Sequence, residues 1–134
     1  MVTITLWKDK ANKQLEPTLF SVTAEKLAME IGEEGDNRNI KGDNKSSQLR
    51  RYFDEIVRLS TQAKANGSDI NMILPQVHML VAKVAYAKGR NLVTESFVEM
   101  MKSGINQIHD KDDLLVFANF LESFIGFYKM HHPK

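Results

Sequence analysis

The stretch NKSSQLRRYFDEIVRLSTQAKANG, residues 44–67, decides the fold. Leu49, Tyr52, Phe53, Ile56, Val57 and Ser60 recur at about 100° per residue and fall on one side of a helix. Asn44 or Ser46 is suited to cap its start, and Gly67 follows its end. Charged residues occupy the other side. A strand would need alternation with period two, which is missing here. The segment therefore reads as an amphipathic helix that needs other helices to cover its apolar stripe.

Working outward, the same periodicity recurs. After Asp69 a further helix begins, with Pro75 well placed at a first helical position, a core stripe of Val77, Leu80, Val81, Val84 and Ala85, and a stop at Gly89. Another follows Thr94, with Phe97, Met100, Met101, Ile105 and Ile108 on its apolar side. A last helix follows His109-Asp110, where acidic residues suit a helix start, and runs to about Met130. Upstream, a helix starts near Thr18 or Thr23 and carries Phe20, Ala24, Leu27, Ala28 and Ile31. Residues 32–43, GEEGDNRNIKGD, read as a loop punctuated by three glycines. Residues 1–17 lack helical periodicity and alternate Val2, Ile4 and Leu6, which suggests an irregular or extended arm. The expectation is an all-α, compact single-domain bundle of about five helices over residues 18–134, preceded by that arm.

The bulk numbers agree. The chain has 134 residues, enough for one domain, and at 43% apolar it can bury a core. With no cysteine, disulfides, thiolate zinc sites and cysteine nucleophiles are excluded. The opening MVTITLWKDK has no apolar run of signal-peptide length, and the longest apolar run, 114–121, is far short of the roughly 20 residues that cross a bilayer. A cytoplasmic protein without membrane contact is expected. The net charge is only +1, but residues 38–90 hold ten basic and four acidic side chains, against eight basic and thirteen acidic in the remainder. A basic middle between acidic ends suits an anionic partner; chance clustering on a solvated surface is the competing account.

Chemistry-bearing patterns are missing. Residues 32–43 lack the Gly-Lys-Ser/Thr of a phosphate loop. His78, His109, His131 and His132 fall in no Glu-x-x-His or His-Glu-x-x-His pattern, and His131-His132 reads as a frayed tail. No serine sits in a nucleophile elbow. No catalytic residue, metal ligand or cofactor is expected.

The basic residues fall on recognisable faces. On the helix of residues 44–67, Arg51 and Arg58 lie almost opposite the core, Arg50 sits at the border of the apolar stripe, and Lys45, Ser46 and Ser47 crowd the start. Hydroxyls, a lysine and helix-start amides together suit a phosphate. The alternative is a solvated face, with Arg51 paired to Glu55 and Arg50 to Asp54 at i,i+4. On the next helix, Lys83 and Arg90 share an outer face with Tyr86 beside them, a set suited to following a nucleic-acid backbone and stacking a base. Tyr86 packed on a neighbouring helix is the alternative. The last helix is apolar on nearly every side: Leu114, Phe117, Ala118, Leu121, Phe124, Ile125 and Tyr128 face one way, and Val116, Phe120 and Phe127 another. It is either a central core helix or covered by a partner.

Three segments carry a family resemblance: NKSSQLRRYFDEI at 44–56, AKVAYAKGR at 82–90 and FLESFIGFYKMH at 120–131. A Ser-Ser-Gln-Leu-Arg helix start, a Val-Ala-Tyr-Ala-Lys-Gly-Arg helix end and an aromatic-rich last helix occur in that order. Together they resemble the small subunit of the type III-A CRISPR effector, the Csm complex. The resemblance implies a five-helix bundle without nuclease activity, stacked in several copies along the guide RNA–target RNA duplex beside other subunits of the complex. It implies that this subunit holds target RNA through its phosphates, while base pairing with the guide supplies sequence discrimination. The RNA-binding candidates carried over by motif are Lys45, Ser46, Ser47, Arg50, Arg51, Lys83, Tyr86 and Arg90, with Arg50 and Arg90 the strongest matches. Arg50 has a rival role as a helix–helix contact. Lys41 and Arg58 are added on charge geometry alone. Relatives often carry a basic residue where this chain has Val81, which interrupts a continuous basic ladder. Phe120 and Phe127 are the candidates for protein contacts. The rival readings are a helical protein-interaction adaptor without RNA contact, and a helical enzyme built on clustered carboxylates.

Overall fold

A computed structural model describes residues 2–133. In chain order it contains two short strands, β1 (Trp7–Asp9) and β2 (Gln14–Leu15), then a π-helical turn (Leu19–Thr23). Five helices follow: α1 (Ala24–Asp36), α2 (Ser46–Lys64), α3 (Ile70–Gly89), α4 (Glu95–Ile105) and α5 (Lys111–His131). The fold is an all-α bundle. The helices pack in a ring, α1 on α5, α5 on α2, α2 on α3, α3 on α4 and α4 back on α1. The core is one cluster of Leu, Ile, Val, Met and Phe drawn from every helix. A run of rings crosses it from α2 through α4 to α5: Tyr52 to Phe97 at 5.8 Å, Phe97 to Phe124 at 6.3 Å and Phe124 to Tyr128 at 5.7 Å between centroids. Gly104 lets α4 approach α5 this closely, because a Cβ there would lie 2.1 Å from the Phe117 ring.

Several local expectations are corrected. α1 continues through Gly32 and Gly35 to Asp36, where a loop was expected. The reason is tertiary: the His132 ring packs against Gly32, leaving no room for a side chain. α3 is continuous through Pro75. Pro75 and Asn71 are both exposed, so the Asn71 carbonyl that loses its i+4 donor can turn to water. Asp69 caps that helix, its carboxylate accepting the Asn71 N–H at 2.9 Å. Within α2, Leu59 and Ala63 are buried while Val57 is 39% exposed, so the stripe is rotated slightly from the expected one. In α3, Ala85 is exposed and Val81 half-buried.

The arm belongs to the bundle's core. Ile4 and Leu6 are buried with it. The Val2, Ile4 and Leu6 amides donate to Glu99 Oε1, Ser103 Oγ and Gln107 Oε1 at 3.1, 3.0 and 3.0 Å. The geometry matches because two residues of extended chain advance about 6.6 Å and four residues of helix about 6 Å. Further on, Trp7 Nε1 donates to Asp113 Oδ1 at 2.7 Å, and Lys10 Nζ lies 2.9 Å from both Asp110 and Asp113.

Helix α5 is central. Phe120 was a candidate for an exposed protein contact, but it is 0% exposed and stacks on Phe117 at 6.3 Å. Both sides of α5 are covered because α1, α2 and the π-turn all pack on it. Phe127 is half-buried against the core.

The tail is docked rather than frayed. His131 Nε2 meets Glu25 Oε2 at 3.1 Å, and the His132 ring lies 5.1 Å from Tyr128.

Candidate nucleic-acid interface

The start of α2 is held by one side chain. Asn44, expected as a possible cap, is buried, with φ at +48°. Its amide donates to Ile31 O at 2.9 Å and Thr94 Oγ1 at 2.8 Å, and its Oδ1 accepts the Thr94 N–H at 2.8 Å. Its backbone N–H donates to Leu92 O at 3.2 Å, and its carbonyl accepts the Tyr128 hydroxyl. Asn44 thereby ties α1, the α3–α4 turn and α5 to the first turn of α2. Burial, then the Asp36 and Asp43 charges, push Tyr128 up to about 12, so it stays a neutral donor. Beside this hub Ser96 Oγ donates to Glu34 Oε2 at 2.6 Å, and its N–H to Glu34 Oε1 at 3.2 Å. Burial pushes Glu34 up, but those bonds and one from Thr94 outweigh it and hold Glu34 below its ordinary 4.5.

The hub fixes how α2 and α3 lie together. They run antiparallel: Asn44 meets Leu92 at one end, and Arg58 Nη2 lies 3.5 Å from Gln76 Oε1 further along. Arg51 precedes Arg58 by seven residues and Lys83 follows Gln76 by seven, two helical turns in each case. Arg51 and Lys83 therefore stand across the seam from one another. Two more turns bring α3 to Arg90, beside the start of α2. The seam carries Arg58, Arg51, Lys83, Tyr86 and Arg90, all exposed.

Their partners differ. Arg58 is committed within the protein, with Nε 3.2 Å from Glu55 Oε2; that hydrogen bond raises the arginine and lowers the carboxylate. With Glu55 taken, the i,i+4 pairing of Arg51 with Glu55 does not form. Among the described residues Arg51, Lys83, Arg90 and Lys41 make no ion pair. Arg90 lies over the Tyr86 ring at 5.8 Å, and Tyr86 is 68% exposed rather than packed on a neighbouring helix. Arg50 reaches Asp54 at 3.7 Å, with both side chains 62% exposed, and stands over Phe53 at 5.9 Å. Such exposed pairs contribute little, about 0–1 kcal/mol. Lys41 lies in the loop between α1 and α2, where the next residue, Gly42, packs against the Val93 carbonyl in the turn that follows Arg90.

The structure divides the candidates between two faces that meet at the start of α2. Arg51, Arg58, Lys83, Tyr86 and Arg90 border the α2–α3 seam. Lys45, Ser46, Ser47 and Arg50 line a cleft between α2 and α5, together with Ile125, Tyr128 and Lys129. The sequence reading omitted Lys129. Its only signal is that it lies four residues after Ile125 on α5, and periodicity alone does not say which helix that end meets.

Residues 21–134 match the family described as Csm2 Type III-A. The chain belongs to this family. As a Csm2-family protein it is a small subunit of the type III-A CRISPR complex and works among that complex's other subunits. The matched span holds all five helices, the Asn44 hub and both basic faces. No curated protein and no solved structure matches the chain significantly. Among the described residues, no helix is long and apolar enough to cross a membrane.

Proposed function

We propose that this subunit holds RNA of the effector complex by its phosphates, through the α2–α3 seam, without reading sequence and without catalysis. The observation that carries the reading is the triplet Arg51, Lys83 and Arg90. They are exposed, in register across two antiparallel helices, and make no close ion pair among the described residues, Glu55 being bonded to Arg58 and reached by Lys83 only through longer-range attraction. Unpaired cations in a row suit a chain of phosphates, and Tyr86 beside them offers a ring face to a base. Base pairing with the guide then supplies the discrimination, and cleavage belongs to partner subunits.

The test is the salt dependence of binding to single-stranded RNA. Each phosphate contact contributes about −0.7 to the slope of log affinity against log salt. Replacing Arg51, Lys83 and Arg90 with alanine is expected to flatten the slope by about 2. An unchanged slope in the triple variant would sink the seam as the contact surface.

Stacking of copies belongs to the same reading, and two exposed faces support it. α1 and the turn before it show Val22 and Met29, 62% and 41% exposed, with Glu30 and Glu33 beside them. The first half of α3 shows Met72 and Met79, 73% and 56% exposed, ahead of Lys83. The two faces expose apolar side chains on helices that are not neighbours in the ring, so a contact between them would be head-to-tail and open-ended. Sedimentation checks this: Met72→Glu with Met79→Glu should abolish self-association, and an unaltered distribution of sizes in an associating preparation would remove the face from consideration.

A further inference from the structure

Beyond the seam, the structure offers a second kind of grip, which rests on the RNA-holding reading and adds a site to it. On the other side of α2, the helix start and the last turns of α5 enclose an open cleft of about 540 Å³. Lys45, just before α2, and Arg50 within it line the cleft on one side and Lys129 of α5 on the other, with Ser47 among the lining residues. Its wall is formed by half-buried Ile125 and buried Tyr128. We propose that this cleft seats a single nucleotide of the bound RNA, its phosphate at the α2 start and its base against Ile125.

Two features choose this ligand. The first is charge. Three cations from two helices converge where the α2 dipole is positive, which suits a phosphate. Their existing partners are easily displaced. Lys45 to Asp43 is 3.9 Å and Arg50 to Asp54 is 3.7 Å, all on exposed side chains, and among the described residues Lys129 Nζ donates to the Pro133 carbonyl, at 2.7 Å. The second is the wall. A site for phosphate alone needs no apolar surface, and a site for an apolar side chain needs no cluster of cations. A nucleotide presents both a flat apolar base and an anion, and the cleft lies within the roughly 300–1,000 Å³ of small-molecule sites.

The experiment is a nuclear magnetic resonance titration of the full chain with adenosine monophosphate, run beside inorganic phosphate and adenosine. The Ile125 methyls and the Ser47 amide should shift along one saturation curve with the nucleotide, at about five-fold or greater affinity than with phosphate. Ile125→Glu should abolish the advantage of the nucleotide over phosphate read at the Ser47 amide, and the surface change Lys129→Ala should weaken nucleotide binding without disturbing the fold. Three results would overturn the proposal: equal affinity for phosphate, with Ile125 unmoved; shifts confined to residues 83–90; or no shift at all. Failure of the general RNA reading is separate, because it is read from the salt slope of the Arg51, Lys83 and Arg90 variant.

Discussion

Two regions of this chain use cations in opposite ways. At the N-terminal arm, Lys10 is drawn between Asp110 and the fully buried Asp113, at 2.9 Å from each. Hydrogen bonds to Asp110 and then Asp113 raise the lysine, and Asp113 also accepts the Trp7 indole and the His109 N–H. Every partner comes from within the chain, and the result is a closed clamp between the arm and the start of α5. At the α2–α3 seam the opposite holds. Arg51, Lys83 and Arg90 lie in register, yet the nearby carboxylate, Glu55, is taken by Arg58. A cation whose partner lies inside the fold contributes to stability; a row of cations without one is available to something outside it. The contrast predicts that substitutions in the first region act on folding, and those in the second on binding.

The largest stability effect is expected at the clamp. Asp113→Ala removes the acceptor of the half-buried Trp7 indole and of the His109 N–H, and one of the two partners of Lys10. An orphaned donor away from water costs about 1–3 kcal/mol, which applies to the half-buried Trp7 indole, whereas exposed Lys10 and His109 can recover water, so a loss of about 2 kcal/mol is expected in urea denaturation. Asp113→Asn keeps the shape and one acceptor, and should lose about half as much. If Asp113→Ala unfolds within about 0.5 kcal/mol of the parent, the arm is not clamped and the comparison fails on its first side.

A smaller effect is expected in acid, beside the α2 hub. The folded state holds Glu34 below its ordinary 4.5. The stabilisation from Glu34 is therefore fully present above about pH 4.5 and is lost as pH falls through the lower folded value. Glu55 and Asp110 are shifted the same way, Glu55 by Arg58 and Asp110 by Lys10 and the Asp113 amide against the upward push of burial. Glu34→Gln should thus shrink, without abolishing, the fall in melting temperature between pH 5 and pH 3. Identical acid profiles for the two proteins would mean the Ser96 bonds do not favour the ionised form.

The same contrast explains what the sequence could convey. α2, α4 and α5 were legible because each repeats an apolar stripe at helical spacing, and local spacing is what a sequence displays. The arm was legible only as extended. Its place in the core depends on Glu99, Ser103 and Gln107, about a hundred residues away. α1 was read as ending at its glycines because a glycine usually punctuates a helix; Gly32 is there for His132, at the far end of the chain. Asn44 was read as a possible cap because its residue type suits one, whereas its five tertiary bonds have no local signature. The seam was partly legible: Arg51, Lys83 and Arg90 could be placed on outer faces, but their alignment needed the antiparallel register. The α2–α5 cleft was not, because nothing local brings Lys129 to the start of α2.

The smallest stability effect should come from the substitution with the largest effect on binding. Arg51, Lys83 and Arg90 make no ion pair among the described residues, so replacing all three with alanine removes no ion pair from the fold. Unfolding free energy should change by about 0.5 kcal/mol or less per site, while the salt slope of RNA binding flattens. The direction of any small change is informative. Lys83 helps to hold Glu55 below the usual carboxylate range, so its removal should cost the bundle slightly, and most visibly at low ionic strength, where screening is weakest. Arg58→Ala is the internal control, because it also removes a seam cation but breaks the Glu55 pair. If the triple variant instead loses as much stability as Asp113→Ala, the seam cations are structural. The distinction between cations committed inside the fold and cations left for RNA would then collapse.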